Sequence, residues 1–242
     1  MSNLEIRRVT LQAAAEARGV VIVIDVIRAF SVAAYAFSGG AQRLWLVRSV
    51  EDAFALRERE PDALLAGEVG GRLIPGFDFN NSPSLMSAAN VNRRLLIQRT
   101  GAGTQGAVGA VNATHLLICS LVNAKATAFY AQKLAHTTGG LITLFPTFYK
   151  SDEVSEDSVC ADYLEALLYG QDDASISLAN DITRLEQAGR FDFLKFGDPD
   201  FPFEDIAAIL DIDRFDFVMV GSHKHWQSIT YVEVEKKDGM SQ

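Results

Sequence analysis

The sequence is short of most features that would fix a class at once. It has only two cysteines in 242 residues, Cys119 and Cys160, and no C-x-x-C pair. Neither a disulfide framework nor a zinc ribbon can be built from them, which fits a reducing, cytoplasmic setting. No apolar run approaches the ~18 residues of a membrane span. Residues Met1 to Gln12 mix Glu5, Arg7 and Arg8 with isolated apolar side chains, so the chain reads as neither secreted nor membrane-embedded. Positive charge is also scarce: 22 Lys and Arg stand against 31 Asp and Glu, a net charge of -9. That balance opposes broad binding to nucleic acid or an anionic lipid surface.

The rest of the composition is that of an ordinary globular protein, with 48% hydrophobic and 22% charged residues. A chain this long buries roughly 70% or more of its unfolded surface, so its core needs no covalent staple. The expectation is one α/β unit over residues 1–242, the other division being two lobes of about 1–145 and 146–242. Whether it forms a homo-oligomer is left open.

Short runs rich in β-branched residues and leucine recur at Val20–Ile24, Arg43–Val47, Ala63–Ala66, Leu95–Gln98, His115–Cys119 and Leu141–Phe145. They do not alternate with polar residues, and helical patterns separate them. This predicts a layered α/β/α arrangement whose central sheet is largely parallel or mixed. Ser49, with Asp52 three residues on, predicts a helix start, and Asn123 precedes an alanine-rich helix to Ala135. Gly39 and Gly139 suit helix ends. After Pro146 the pattern predicts a helix over Glu156–Leu168, a polar stretch near Gln171–Ser175 and a helix from Asn180. Strands follow at Phe215–Val220 and Thr230–Glu235.

Charge is also unevenly placed. Between Phe79 and Ser151 there is no acidic residue, while Arg93, Arg94, Arg99, Lys125, Lys133 and Lys150 give a local +6 and leave -15 for the rest. Asp152, Glu153, Glu156 and Asp157 follow immediately. Donors for an anion next to hard oxygen ligands are what a small anion plus a divalent cation require, although surface charges also segregate by chance.

Several motifs carry candidate chemistry. Gly101 to Gly106 spell G-x-G-x-x-G after a predicted strand, but the acidic residue a dinucleotide fold uses about 20 positions later is absent. What remains is phosphate-binding geometry, with hydroxyls from Thr100 and Thr104, or a plain strand-to-helix turn. Asp25 ends the first buried strand and Arg28 follows, placing an acid and a cation where a ligand crevice opens; a helix-capping aspartate is the other reading. Ile27 stands where a haloacid dehalogenase pattern needs a second aspartate. Cys119 lacks the arginine six positions on that a cysteine phosphatase loop needs, and no G-x-x-x-x-G-K-S/T loop exists. His223 and His225 read as surface residues rather than as a metal pair.

The richest stretch runs from Gly67 to Pro83. Glycines, Glu68, Asp78, Asn81 and Ser82 make it look like a binding loop. It resembles the Gly-Glu-Arg-Gly-Gly … Gly-Phe-Asp-x-x-Asn-Ser-Pro signature of the 2-phosphosulfolactate phosphatase family. The same family has an Asp-x-x-Arg-Ala element, matched by Asp25, Arg28 and Ala29, and a Thr-Thr-Asn-Gly-Thr turn, partly matched by Thr100, Gly103 and Thr104. Its Ser-x-x-Asn-Ala element is matched by Ser120, Asn123 and Ala124, and its Glu-Asp-x-x-Cys-Ala by Glu156, Asp157, Cys160 and Ala161. The matches keep their order from about Val20 to Leu168. Val69 replaces the family's arginine and Ala102 its asparagine.

The resemblance implies an α/β hydrolase, dependent on Mg2+, that acts on a small anionic phosphorylated acid. Asp25, Glu68 and Asp157 are the implied catalytic residues, and the same three with Glu156 the implied metal ligands. Arg28, Gly70, Gly71, Arg72, Asn81, Ser82, Arg99, Thr100, Gly103, Thr104, Ser120 and Asn123 form the implied substrate-binding pool, with Arg72 or Arg99 expected to replace the charge missing at Val69. The rival readings are a non-catalytic protein that binds a phosphorylated metabolite and an NADP-binding oxidoreductase using the Gly101–Gly106 turn.

Overall fold

The computed structural model describes residues 4–148 and 154–239, and in it each β-branched run becomes a strand. In chain order the elements are β1 (Glu5–Arg8), β2 (Val20–Ile24), α1 (Ala29–Ser38), β3 (Arg43–Val47), α2 (Val50–Arg59), β4 (Leu64–Val69) and β5 (Arg72–Leu73). They continue with α3 (Pro83–Ser87), β6 (Leu95–Arg99), α4 (Gly103–Gly109), β7 (His115–Cys119), α5 (Ala124–Ala135), β8 (Leu141–Pro146) and α6 (Glu156–Leu168). The last are α7 (Ala174–Gln187), α8 (Asp205–Ile209), β9 (Phe217–Trp226) and β10 (Ile229–Asp238).

The ten strands form one mixed sheet in the order β1-β8-β2-β7-β9-β10-β3-β6-β4-β5. β1, β8, β2 and β7 run parallel to one another, as do β3, β6 and β4. The long β9–β10 hairpin joins these two groups by antiparallel pairing, β9 to β7 and β10 to β3. The two parallel groups therefore point in opposite directions along the sheet.

Strand alternation decides which core each side chain joins. Val21 and Val23 of β2, Leu44 and Leu46 of β3, and Val232 and Val234 of β10 all enter one cluster with Phe30 and Phe37 of α1 and Val108 of α4. Val20, Ile22 and Ile24 face the opposite side, against α5, α6 and α7. Trp45 and Val47 face α2. One face of each half-sheet thus covers the same pair of helices, α1 and α4, while the outer faces carry their own helical layers.

Local signals behave as the residues dictate. Ser49 and Asp52 close a complete capping box on α2, and Ser155 with Ser158 does the same on α6. The helix expected from Asn180 instead begins at Ala174. Buried Ala174, Leu178 and Leu185 recur at helical spacing against the α5–α6 layer, and this outweighs the polarity of Gln171–Ser175. The Gly67–Pro83 stretch is also more ordered than a loop: Glu68 pairs with Leu73 and Val69 with Arg72 in a tight hairpin turning through Gly70 and Gly71, both at positive φ.

Candidate active site

Asp25 leaves the end of β2 and is buried. Its Oδ1 accepts the Ala29 amide at 2.9 Å, fixing it over the first turn of α1. Gly103, at the start of α4, lies so close that a Cβ there would stand 2.6 Å from Asp25 Oδ2. The glycine of the G-x-G-x-x-G turn is therefore accounted for by this aspartate, without a pyrophosphate. Burial, then the nearby Glu156 and Glu68 carboxylates, push the Asp25 carboxyl up to about 7, against the opposing pull of the Ala29 and Gly103 amides.

Glu68, near the end of β4, ties two turns together. Its Oε2 accepts the Gly71 amide and its Oε1 the Gly101 amide, both at 2.6 Å. Arg28, only 3% exposed, donates from Nη1 to Asp205 Oδ2 at 2.9 Å and to the Asp200 carbonyl at 2.7 Å. Its Nη2 reaches the Gly71 carbonyl at 3.2 Å. The guanidinium lies 5.1 Å from the centre of the Phe201 ring.

These groups enclose a pocket of about 230 Å³ lined by Asp25, Ile27, Arg28, Glu68, Gly71, Asn81, Thr100, Gly101, Ala102, Phe193 and Phe201. Asp25 and Glu68 come from half-sheets whose strands point in opposite directions. A flat sheet would hold their ends at opposite edges, so it is the folding of both halves around α1 and α4 that brings them together.

The remaining sequence candidates lie outside this lining. Asp157 has both oxygens engaged, Oδ1 by the Val26 amide at 2.7 Å and Oδ2 by Phe148 N at 2.9 Å and Thr147 Oγ1 at 3.1 Å. It thereby anchors the chain next to Asp25, and burial holds its carboxyl well above the usual range. Glu156 is clasped by Arg190 through contacts of 2.6 and 3.3 Å. Thr100 and Thr104 bond mutually, with Thr104 Oγ1 accepting the Thr100 amide at 2.9 Å and Thr100 Oγ1 accepting the Thr104 amide at 3.2 Å; of the two, Thr100 reaches the pocket. Ser120 and Asn123 are fully buried, Ser120 Oγ against Ser31 Oγ at 2.6 Å and Asn123 Oδ1 accepting the Ser120 amide at 3.0 Å. Ser82 Oγ donates to Asp205 at 2.6 Å.

Neither arginine expected to replace the charge missing at Val69 lines the pocket. Arg72 is exposed and pairs with Asp200 at 3.2 Å, while Arg99 donates to the Glu68 carbonyl at 2.7 Å. Gly70 faces open space. Lys150, Ser151, Asp152 and Glu153 lie outside the described residues.

Sequence reading missed the segment between α7 and α8 and the start of α8. The segment supplies Phe193 and Phe201 to the pocket wall and Asp200 to its frame, and α8 supplies Asp205. Asp200 accepts Leu73 N at 2.9 Å and Asn80 Nδ2 at 2.7 Å, joining this segment to the β4–β5 hairpin. The available signal was composition: five phenylalanines fall between Phe191 and Phe203, beside Gly197, Pro199 and Pro202.

The family model described as 2-phosphosulpholactate phosphatase matches residues 7–223. A protein of Bacillus subtilis strain 168 named "Probable 2-phosphosulfolactate phosphatase" is 39% identical over 199 residues, covering 82% of this chain and 85% of that protein. A protein of the same name from Deinococcus radiodurans is 41% identical over 157 residues, 61% of this chain and 62% of that one. One from Thermus thermophilus is 43% identical over 117 residues, 48% of each.

Proposed function

The chain belongs to the 2-phosphosulfolactate phosphatase family and is a phosphoric monoester hydrolase, and from that premise we propose that it hydrolyses a small phosphorylated acid bearing a sulfonate or carboxylate. The reference reaction is 2-phosphosulfolactate plus water giving sulfolactate and phosphate. The observation that carries this reading is the small pocket with two buried carboxylates, Asp25 and Glu68, facing a buried guanidinium, Arg28. Arg28 is held by Asp205 and three backbone and ring contacts, so it is oriented before an anion arrives. Asn81 and Thr100 add neutral polar groups to the same wall. Asp25, with a carboxyl near 7, is suited to exchange a proton at its carboxylate oxygens with water or the leaving oxygen near neutral pH.

Two buried carboxylates lining one pocket, with Glu68 among the causes that raise Asp25, suit a cation. Mg2+ keeps much of its water and is held by one or two carboxylates together with a substrate phosphate. Asp25 and Glu68 fit that donor set. Among the described residues no three His, Cys, Asp or Glu side chains are grouped to hold a metal by themselves, so the ester is part of the proposed site. Bound there, Mg2+ supplies neutralisation of the phosphoryl oxygens. Two buried, free cysteines fit the proposed cytoplasmic setting, and no helix among the described residues is long and apolar enough to cross a membrane.

The test is phosphate release from a panel of small phosphate esters, with Mg2+ or with excess chelator. Release from 2-phosphosulfolactate that requires Mg2+ is expected. Full turnover in chelator would remove the metal from the reading, and no release from any ester would remove the reaction.

A further inference from the structure

A second and larger cavity, of about 750 Å³, opens between the end of α7 and the chain that follows it. Its apolar lining is the buried Leu185 with the exposed Val154, Ala188 and Phe193. Its polar rim is cationic, with Arg184, Arg190 and Lys195 against the single acid Asp192. Among the lining residues cations outnumber acids, in a chain of net charge -9. Among the described residues Arg184 is tied only to Asp181, at 2.7 Å with its own side chain 71% exposed, a kind of pair that holds a guanidinium weakly. Lys195 makes no ion pair among the described residues. The volume lies in the range of small-molecule sites, and an apolar bed with a few cations selects an anion carried on an apolar skeleton.

The cavity is linked to the proposed active site by one shared side chain and by one series of contacts. Phe193 lines both spaces. Arg190 lines the cavity while its guanidinium clasps Glu156 at 2.6 Å and lies 4.5 Å from the Phe148 ring centre. Glu156 is followed by Asp157, whose carboxylate holds the amides of Val26 and Phe148 and so sets the chain beside Asp25. An anion in the cavity competes with Glu156 for Arg190. That weakens the neutralisation of a buried carboxylate whose charge is felt at Asp25 and makes the pocket less favourable to an anionic ester.

We propose that this cavity is a binding site for a small organic anion with an apolar body, and that its occupancy inhibits turnover through the Arg190–Glu156 contact. The binding stands independently of the phosphatase reading; the inhibition rests on it. The probe is 1-naphthalenesulfonate, an apolar monoanion without a phosphate ester, added to the intact protein. Its binding is followed by its own fluorescence and by calorimetry, and its effect on phosphate release is measured over a range of ester concentrations.

Saturable binding of one equivalent is expected, weakening with ionic strength. The double variant Arg184→Glu with Lys195→Glu, two exposed positions away from the catalytic pocket, should bind the probe about tenfold or more weakly while keeping basal turnover and melting temperature. In the parent the probe should raise the KM for the ester to a plateau as its own site saturates, and in the double variant this inhibition should be lost. Unchanged probe affinity in the double variant would overturn the site. A KM that rises linearly with probe concentration and reaches no plateau would place the probe in the catalytic pocket and overturn the coupling. If no ester is turned over, the phosphatase reading fails, and the binding arm still decides the site.

Discussion

At the scale of single residues, Asp25 is the point where function opposes stability. Its folded value of about 7 lies above the ordinary 3.8 because burial, Glu156 and Glu68 all disfavour the charge. The folded protein therefore holds this proton more tightly than the unfolded chain. The resulting stabilisation is complete below about pH 3.8 and is lost as pH rises through about 7. At pH 8, without a cation, the carboxylate is a burden on the fold. Asp25→Asn is predicted to raise the melting temperature in chelator at pH 8 by about 3–6 °C while lowering turnover by roughly 10²–10⁴-fold. A lower melting temperature would contradict the burial account. Asp205 behaves in the opposite sense: it is fully buried and accepts bonds from Arg28, Ser82 and Ser84. Asp205→Ala strands a buried guanidinium and is expected to cost about 3–5 kcal/mol in urea unfolding, with Asp205→Asn, which keeps an acceptor, costing clearly less. Equal costs would show that the lost charge, rather than the lost acceptor, carries the whole effect. Asp25 and Arg28 were legible in the sequence because they share a strand end. Asp205 was not, since its partner lies 177 positions away and nothing local marks it.

At the scale of elements, legibility followed buried pattern. β2 and β3 could be read because their β-branched and leucine runs leave no polar face, and α2 because its capping box is written in Ser49 and Asp52. β1 could not, because three of its four residues are charged and only Ile6 packs inward. The β4–β5 hairpin was read as an irregular loop, since its two-residue return strand is too short to show alternation. This hairpin offers a controlled comparison. Gly70 and Gly71 both sit at positive φ, 61° and 80°, so alanine strains the backbone alike at each. A Cβ at Gly70 meets nothing within 4 Å. At Gly71 it collides with the Phe201 ring that rests beside Arg28. Gly70→Ala should therefore cost only about 1 kcal/mol of stability, with steady-state kinetics close to the parent. Gly71→Ala should in addition raise KM by about three- to tenfold as Phe201 and Arg28 shift. Identical kinetics for the two variants would show that Phe201 does not position Arg28.

At the scale of the whole molecule, the decisive feature is the reversal of strand direction across the β9–β10 hairpin. Buried strands separated by helices predict parallel crossovers, and within each half-sheet that is what forms. The reversal was illegible because it depends on two strands at the far end of the chain inserting between β7 and β3, pairings separated by about a hundred residues or more from their partners. The consequence is that the last part of the chain completes a pocket whose charged groups all precede it. Asp25 and Arg28 belong to the β2 half, Glu68 and Thr100 to the β3–β6–β4 half, and the hydrogen-bonded connection between them runs through β9 and β10. Met219, Val232 and Val234 also enter the cluster that both halves share with α1 and α4. A chain ending at Arg214 would expose the edges of β7 and β3 and lose part of that shared core, leaving two half-sheets with no backbone link. Such a chain is predicted to keep much of its far-ultraviolet signal, since the helices and most strands lie within residues 4–214, but to lose near-ultraviolet structure, cooperative melting and turnover together. The milder Val232→Ala, which removes two methyl groups at the centre of the shared core, should lower stability by about 2–3 kcal/mol and leave KM near the parent value. A truncated chain that still melts cooperatively would mean that packing around α1 and α4 holds the halves together without the hairpin.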